Sequence, residues 1–461
     1  MKSRKMIKEL NQIILFVMMT VGVIPAHATL TKFELTNGMQ VLVKEDHRAP
    51  VVVQQVWYRV GSTYEHGGIT GLSHMLEHMM FKGTKRYKAG EFSKRVSKLG
   101  GQENAFTSYD YTAYYQVVGR QHLETVMALE ADRMRNLVLK EADFQTERDV
   151  IAEERRMRTE DNPRSKLYEL FRASAFLNSP SHHPVIGWMS DIQNYTLQDL
   201  KSWYQQWYAP NNATLVVVGD VDPQQVFEWA KRYYGVHSPE KIDPPKPQIE
   251  VTQSGQRRIE LKAAVQSPTL MMGFHTPSLV TATDLQEVYA LSVLASVLAG
   301  DDSARFNKNL IREQKVLASA SARYDETSRA TSLFTLSATP AQDKTLADAE
   351  AAIWQALQQL QSSLIKPKDL QKILAQAEAQ YVFHQDSIEA QAMILGSLTS
   401  IGLPIETYDQ WIERLRQVTP EQVQAVAKKY FSKDSVTVAS LKPNGDVALS
   451  KPYKSFHGGQ R

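Results

Sequence analysis

The sequence predicts an α+β fold: two similar domains, each a mostly antiparallel sheet packed by helices, related by internal duplication. Three observations carry this. First, the run that begins Thr196-Leu-Gln-Asp returns as Thr419-Pro-Glu-Gln, 223 residues later. Each copy ends in an aromatic pair, Trp207-Tyr208 and Tyr430-Phe431, followed by an apolar β-run at 214–218 and 436–440. Second, the stretch between the copies holds Pro239, Pro244, Pro245 and Pro247 among charged residues, the composition of a linker. Third, runs with period two alternate with runs of helical period. The expected division is a leader at 1–28, a first domain at 29–235, a linker at 236–257, a second domain at 258–450 and a tail at 451–461.

The elements follow in order. Lys2, Arg4, Lys5 and Lys8 precede an apolar run at 13–24, and Ala26-His27-Ala28 gives an A-x-A-like site before Thr29. This is the pattern of a cleavable secretory signal, too short for an ordinary membrane span. Two alternating runs around Asn37-Gly38 read as a β-hairpin, and residues 51–60 as a third strand. Gly67, Gly68 and Gly71 loosen the chain before a helix that carries His74, Glu77 and His78. A second helix covers 89–99. Residues 104–118, rich in aromatic and β-branched side chains, read as strand, either central in a sheet or able to pair with an extended peptide. From 122 to 158 the pattern is helical, in two pieces. Asn162-Pro163 ends it, a helix follows at 165–176, His182-His183-Pro184 is a loop, and Thr196 caps a helix to Tyr208.

The chemistry centres on His74-Met-Leu-Glu77-His78, an H-x-x-E-H run. Positions i and i+4 of a helix share a face, so both imidazoles can aim at one point. Two His, one further donor and a vacancy for water make a catalytic zinc site, and a neighbouring carboxylate can take the water's proton. The order is that of an inverzincin. Leu72, Met75, Leu76, Met79 and Met80 make the rest of the helix apolar, which favours burial over a surface helix that happens to carry two His. Downstream, Phe144, Glu147, Val150, Ile151, Glu154 and Met157 form a helical stripe, apolar except for two carboxylates; Glu153 lies off it. By itself the stripe is explained by ion pairs to Arg148, Arg155 or Arg158. With His74 and His78 upstream, Glu154 is the expected third ligand and Glu147 a supporting acid. No such motif recurs in the second domain, where His275 and His384 read as structural.

Composition bounds the class. The chain has 461 residues, no Cys and a formal charge of +3. Thiolate ligands and disulfides are thereby excluded. Four of the basic residues leave with the leader against Glu9 alone, so the mature chain is formally neutral and nucleic-acid binding is not expected. The leader points to the periplasm, with cleavage after Ala28 and no stable membrane span afterwards.

Residues 71–84, the segment from Glu147 to Glu154, the run Asn104-Ala105-Phe106-Thr107 and the run from Tyr208 to Asp220 together resemble the pitrilysin/insulinase family of inverzincins. Within it, the chain is similar to short bacterial members akin to mitochondrial processing peptidase, over nearly its whole mature length. The resemblance implies one Zn2+ per chain held by His74, His78 and Glu154, Glu77 as general base, Glu147 as supporting acid, and a peptide substrate paired along Asn104, Ala105 and Phe106. Half-length members dimerise to close a chamber. Active members also present an Arg and a Tyr seven residues apart, in a segment like L-R-E-x-x-G-L-A-Y. Here Arg312 is kept as a substrate-facing residue, but Ser319 stands where the Tyr is expected, and Tyr324 is too far along. The resemblance therefore implies a zinc metalloendopeptidase working as a heterodimer with a related subunit that carries the Arg/Tyr pair, or as a homodimer. The alternative is a non-catalytic structural or peptide-holding subunit of the same fold.

Overall fold

The computed structural model describes residues 30–444, so the leader and the end of the chain lie outside the described residues. Strands β1 (Leu30–Glu34) and β2 (Gln40–Glu45) form the hairpin around Asn37-Gly38, with Gly38 at a φ of 82° that an L side chain resists. They join β3 (Val51–Tyr58), β4 (Gln102–Thr107), β5 (Thr112–Gly119) and β6 (Ala213–Gly219) in a sheet of order β1-β2-β6-β3-β5-β4. The second sheet has β7 (Arg257–Ala263), β8 (Thr269–Thr276), β9 (Leu317–Arg323), β10 (Ser332–Pro340) and β11 (Val436–Pro443), in the order β7-β11-β8-β10-β9.

The two orders are one topology. Taking β2 to β6 in chain order onto β7 to β11 reproduces every neighbour and its sense: β2·β6 and β7·β11 are parallel, the rest antiparallel. The capping boxes repeat as well. Thr196 and Thr419 each accept from the third residue of their helix, whose side chain accepts from the cap in return.

The first half carries helices α1 (Leu72–Met79), α2 (Glu91–Lys98), α3 (Leu123–Asn136), α4 (Glu141–Arg155), α5 (Pro163–Ala175), α6 (Met189–Asn194), α7 (Leu197–Trp207) and α8 (Pro223–Tyr233). The second carries α9 (Leu285–Ala299), α10 (Leu346–Ser362), α11 (Pro367–Asp386), α12 (Ile388–Ser400), α13 (Glu406–Arg416) and α14 (Pro420–Tyr430). One face of each sheet is covered by helices of its own half. The other face is covered by a helix from the opposite half. Leu167, Phe171 and Ala175 of α5 pack on Met271, Leu333, Ala439 and Leu441 of the second sheet. Ala392 and Leu395 of α12 pack on Leu42, Val53, Trp57 and Val216 of the first. The approach is close at both contacts. A Cβ on Gly396 would lie 2.0 Å from the Trp57 ring, and one on Gly273 2.5 Å from Phe171. The two halves thus complete each other's cores, and a residue 236–256 stretch without regular structure joins them.

Two expectations need correction. Residues 104–118 are two strands, not one: the chain turns at 108–111, where Ser108 N–H donates to Tyr111 O at 2.8 Å and the Asp110 carboxylate takes bonds from Thr63 and Arg329. The turn formers Ser108 and Asp110 are each followed by a tyrosine, whose β propensity masked them. The α4 stripe is also narrower than read, since Val150 is 45% and Met157 61% exposed. At 100° per residue Val150 sits roughly 80° from the centre of the face made by Phe144, Glu147, Ile151 and Glu154, and Met157 lies beyond α4, in the π-helical segment Arg156–Glu160. Among the described residues no helix is long and apolar enough to cross a membrane.

Candidate metal centre and substrate cleft

Helix α1 is placed by its start. Gly71 has a φ of 86°, and a Cβ there would meet Ile186 O at 2.3 Å. The N–H groups of Gly71 and Ser73 donate to the two oxygens of Glu65 at 2.6 and 2.7 Å. Glu65 is buried, and that burial pushes its carboxyl up to about 7 against the pull of the two backbone bonds. Leu72, Met75, Leu76 and Met79 face the core, so His74, Glu77 and His78 are left facing the groove between α1, α4 and β4. Glu65→Ala would leave two buried donors without an acceptor, each costing about 1–3 kcal/mol. We expect a loss of about 2–4 kcal/mol in chemical denaturation and lower zinc retention. An unchanged unfolding midpoint would remove Glu65 from this role.

Glu154 on α4 comes up against both imidazoles. Its Oε2 is 3.9 Å from His74 Nε2 and 3.5 Å from His78 Nε2. These distances are long for hydrogen bonds, yet donors sharing one tetrahedral ion at zinc–nitrogen and zinc–oxygen bond lengths sit roughly 3.4 Å apart. One ligand atom from each of the three residues lies within 4.8 Å of the others. The donor set, two imidazoles and a carboxylate, is that of a catalytic zinc site. Around it, His78 Nδ1–H donates to Glu147 at 3.1 Å, which turns Nε2 inward. Glu147 in turn meets Lys82 Nζ at 2.5 Å, and Glu154 meets Arg158 at 2.8 Å. The ion pair to Arg158 expected from sequence is therefore present, and its second oxygen still faces the two His. Arg155 is turned away, onto Glu169.

The electrostatics separate the two His. Burial, then the neighbouring His78, pulls His74 down to about 4, so its imidazole is neutral. Burial pulls on His78 as well, but the hydrogen bond to Glu147 and the nearby Glu154 carboxylate outweigh it and hold it at about 9. The adjacent His78 ring, 3.5 Å away, holds the Glu154 carboxyl below the ordinary range. Glu77 is not among the three converging donors. Thr107 Oγ1 donates to its Oε2 at 2.6 Å, and burial raises its carboxyl above the ordinary range.

The groove opens into a cavity of about 1200 Å³ lined by His74, Glu77, His78 and Glu154, by Asn104, Ala105, Phe106 and Thr107, and by His182 and His183. Strand β4 is an edge strand, paired on one side only, with β5. Arg312 is elsewhere. It lies exposed near the end of the π-helix Phe306–Glu313, donates to Asp302 O at 2.6 Å, and does not line this cavity. Arg323, on β9, lines it instead. Ser319 lines an adjoining cavity, and Tyr324 is tied to Pro277 O at 2.6 Å. Sequence reasoning missed Glu65, Lys82 and Thr107, which touch the site only through the fold; a Thr three positions past Asn104 carried no signal of its own.

Residues 40–187 match the family model described as Insulinase (Peptidase family M16), and residues 194–377 the one described as Peptidase M16 inactive domain. The chain is 32% identical to zinc protease PqqE of Helicobacter pylori over 91% of its own length and 94% of the relative's. It is 25% identical to an uncharacterized zinc protease, YmxG, of Bacillus subtilis, over 91% and 99%. A crystal structure of a protease from Helicobacter pylori superposes with a TM-score of 0.85 at 30% identity, covering 90% of this chain and 100% of that one. The periplasmic protease PqqL of Escherichia coli superposes with a TM-score of 0.75 at 20% identity, but there 90% of this chain spans only 47% of the other.

Proposed function

The chain belongs to the insulinase (M16) family of peptidases, and from that premise we propose that it is a zinc-dependent endopeptidase acting on extended peptides or unfolded segments in the periplasm. The observation that carries the reading is the convergence of His74, His78 and Glu154, with Glu77 beside them and hydrogen-bonded to β4. His74, His78 and Glu154 would hold the ion, whose chemistry is Lewis-acid polarisation of a carbonyl and acidification of water.

The chain's own residues do the rest. The free edge of β4 pairs with the substrate backbone, which sets its direction past Glu77 and gives affinity without strict side-chain demands. Thr107 holds one oxygen of Glu77 and leaves the other for the attacking water. Glu77 takes that water's proton as oxygen adds to the scissile carbonyl carbon, then delivers it to the amine nitrogen as the C–N bond breaks. A carboxyl raised by burial is suited to both steps. Glu147 keeps the His78 ring in register.

In this reading the division at 29–235, 236–257 and 258–450 separates a metal-bearing domain from one of similar fold that shapes the cleft. The protein works as a dimer, since one chain spans about half of the longer PqqL architecture. Ser319 and the position of Arg312 favour a related partner that supplies the Arg/Tyr pair over a homodimer. The test is hydrolysis of an internally quenched extended peptide by the zinc-loaded mature chain, alone and with its partner. Chelation should abolish turnover and zinc should restore it; turnover unaffected by metal removal would overturn the proposal.

A further inference from the structure

The cavity at the metal centre carries positive charge that nothing in the fold uses. Arg323 closes β9, and alternation along that strand puts it on the face that carries Ser319 and Ser321. Its guanidinium has no hydrogen bond or ion pair among the described residues. Arg164 is in the same position chemically, exposed and without a side-chain partner. It is the second residue of α5, where the helix dipole disfavours a cation, so helix stability does not account for it. Both line the cavity at the metal centre and the adjoining one of about 1140 Å³, so they stand where the two meet. Arg172, two turns along α5, adds a third cation there, stacked on Tyr109 at 4.4 Å and bonded to Ser181 O.

The carboxylates around them are engaged. Glu77 and Glu154 belong to the metal centre. Glu169 takes both arms of the buried Arg155 at 2.8 and 2.9 Å, Asp110 is held by Arg329, and Asp325 accepts from Thr327 N–H and Oγ1. Asp325 and Glu326, bonded only to neutral donors, line the adjoining cavity but not the one at the metal centre; there, what remains without an ion-pair partner is cationic, contributed by both halves of the chain, and lines the same cavity as the β4 edge.

We propose that Arg164 and Arg323 form a carboxylate-binding subsite that selects peptides with an acidic side chain near the scissile bond. This rests on the peptidase reading for its substrate, though not for its test. Guanidinium groups take carboxylates with paired N–H donors, and two of them facing one cavity add their attraction for the same anion.

The experiment is peptide binding to the zinc-loaded Glu77→Gln chain, followed by fluorescence anisotropy. The probes are extended peptides with capped ends and a neutral dye, identical except for Glu, Gln or Lys at paired central positions. The Glu peptide should bind about tenfold tighter than the Gln peptide at low ionic strength, with the Lys peptide weakest and the gap narrowing in salt. Arg164→Gln with Arg323→Gln should erase the Glu/Gln difference and leave zinc content and the unfolding transition as they were, both side chains being exposed. Equal binding of Glu and Gln peptides, or a difference that survives the double substitution, would overturn the subsite. If a free carboxyl terminus on the Gln peptide recovers the affinity, and the double substitution removes that gain, the same subsite takes a terminal carboxylate. Absence of hydrolysis by the zinc-loaded wild-type chain together with its partner, with Glu/Gln discrimination intact, would sink the enzyme reading and leave the subsite standing.

Discussion

Glu77→Gln lowers turnover by about 10²–10⁴-fold, the range general-base removal produces, while the chain keeps its zinc. The amide has the shape of the carboxylate and its oxygen still accepts from Thr107, which sits 2.6 Å from Glu77 in the native protein. The converging donors, His74, His78 and Glu154, are untouched. What disappears is the capacity to take a proton from water and return it to the leaving amine. Zinc per chain by elemental analysis and kcat on the quenched peptide separate the two effects. Turnover within tenfold of wild type would show that another group is the base; loss of zinc along with activity would show that Glu77 supports the ligands instead.

The relation between sequence and site is uneven, for physical reasons. The convergence of His74, His78 and Glu154 was readable because helical spacing alone brings the two His together, and because Glu154, with Glu147, interrupts an otherwise apolar face. The duplication was readable because the α7 and α14 capping boxes and the strands after them are local patterns, repeated at one offset. The exchange of α5 and α12 between halves was not. An amphipathic helix announces that it has a buried face, but not which sheet will cover it. Trp57 and Gly396 show the point: a bulky ring and a missing side chain fit together across 339 residues. Glu65 was hidden in the same way, since a carboxylate before a glycine-rich loop looks solvated until the fold closes over it. Arg312 failed for the opposite reason. Its motif spacing was right, but its side chain bonds Asp302 on its own surface, while Arg323, outside the motif, reaches the cavity.

Glu154→Gln should weaken zinc binding by more than about 100-fold, since even the outer partners of metal ligands are worth 10–100-fold when removed. Both imidazoles bind as neutral groups, so Glu154 is the one ligand whose charge offsets the ion's. A Gln oxygen in the same place is neutral. It also leaves Arg158, now 2.8 Å from the Glu154 carboxylate, as an unbalanced cation beside the site. Activity should fall with zinc content after dialysis against a chelator and return in part at high free zinc, which a structural defect would not allow. Glu147→Gln is the comparison: it disturbs only the ring orientation of His78 and the bond to Lys82, so its zinc loss should be smaller and its activity recover at lower zinc. If Glu154→Gln retains zinc like wild type, the third donor is a different group, and the reading of α4 as the second arm of the metal centre fails with it.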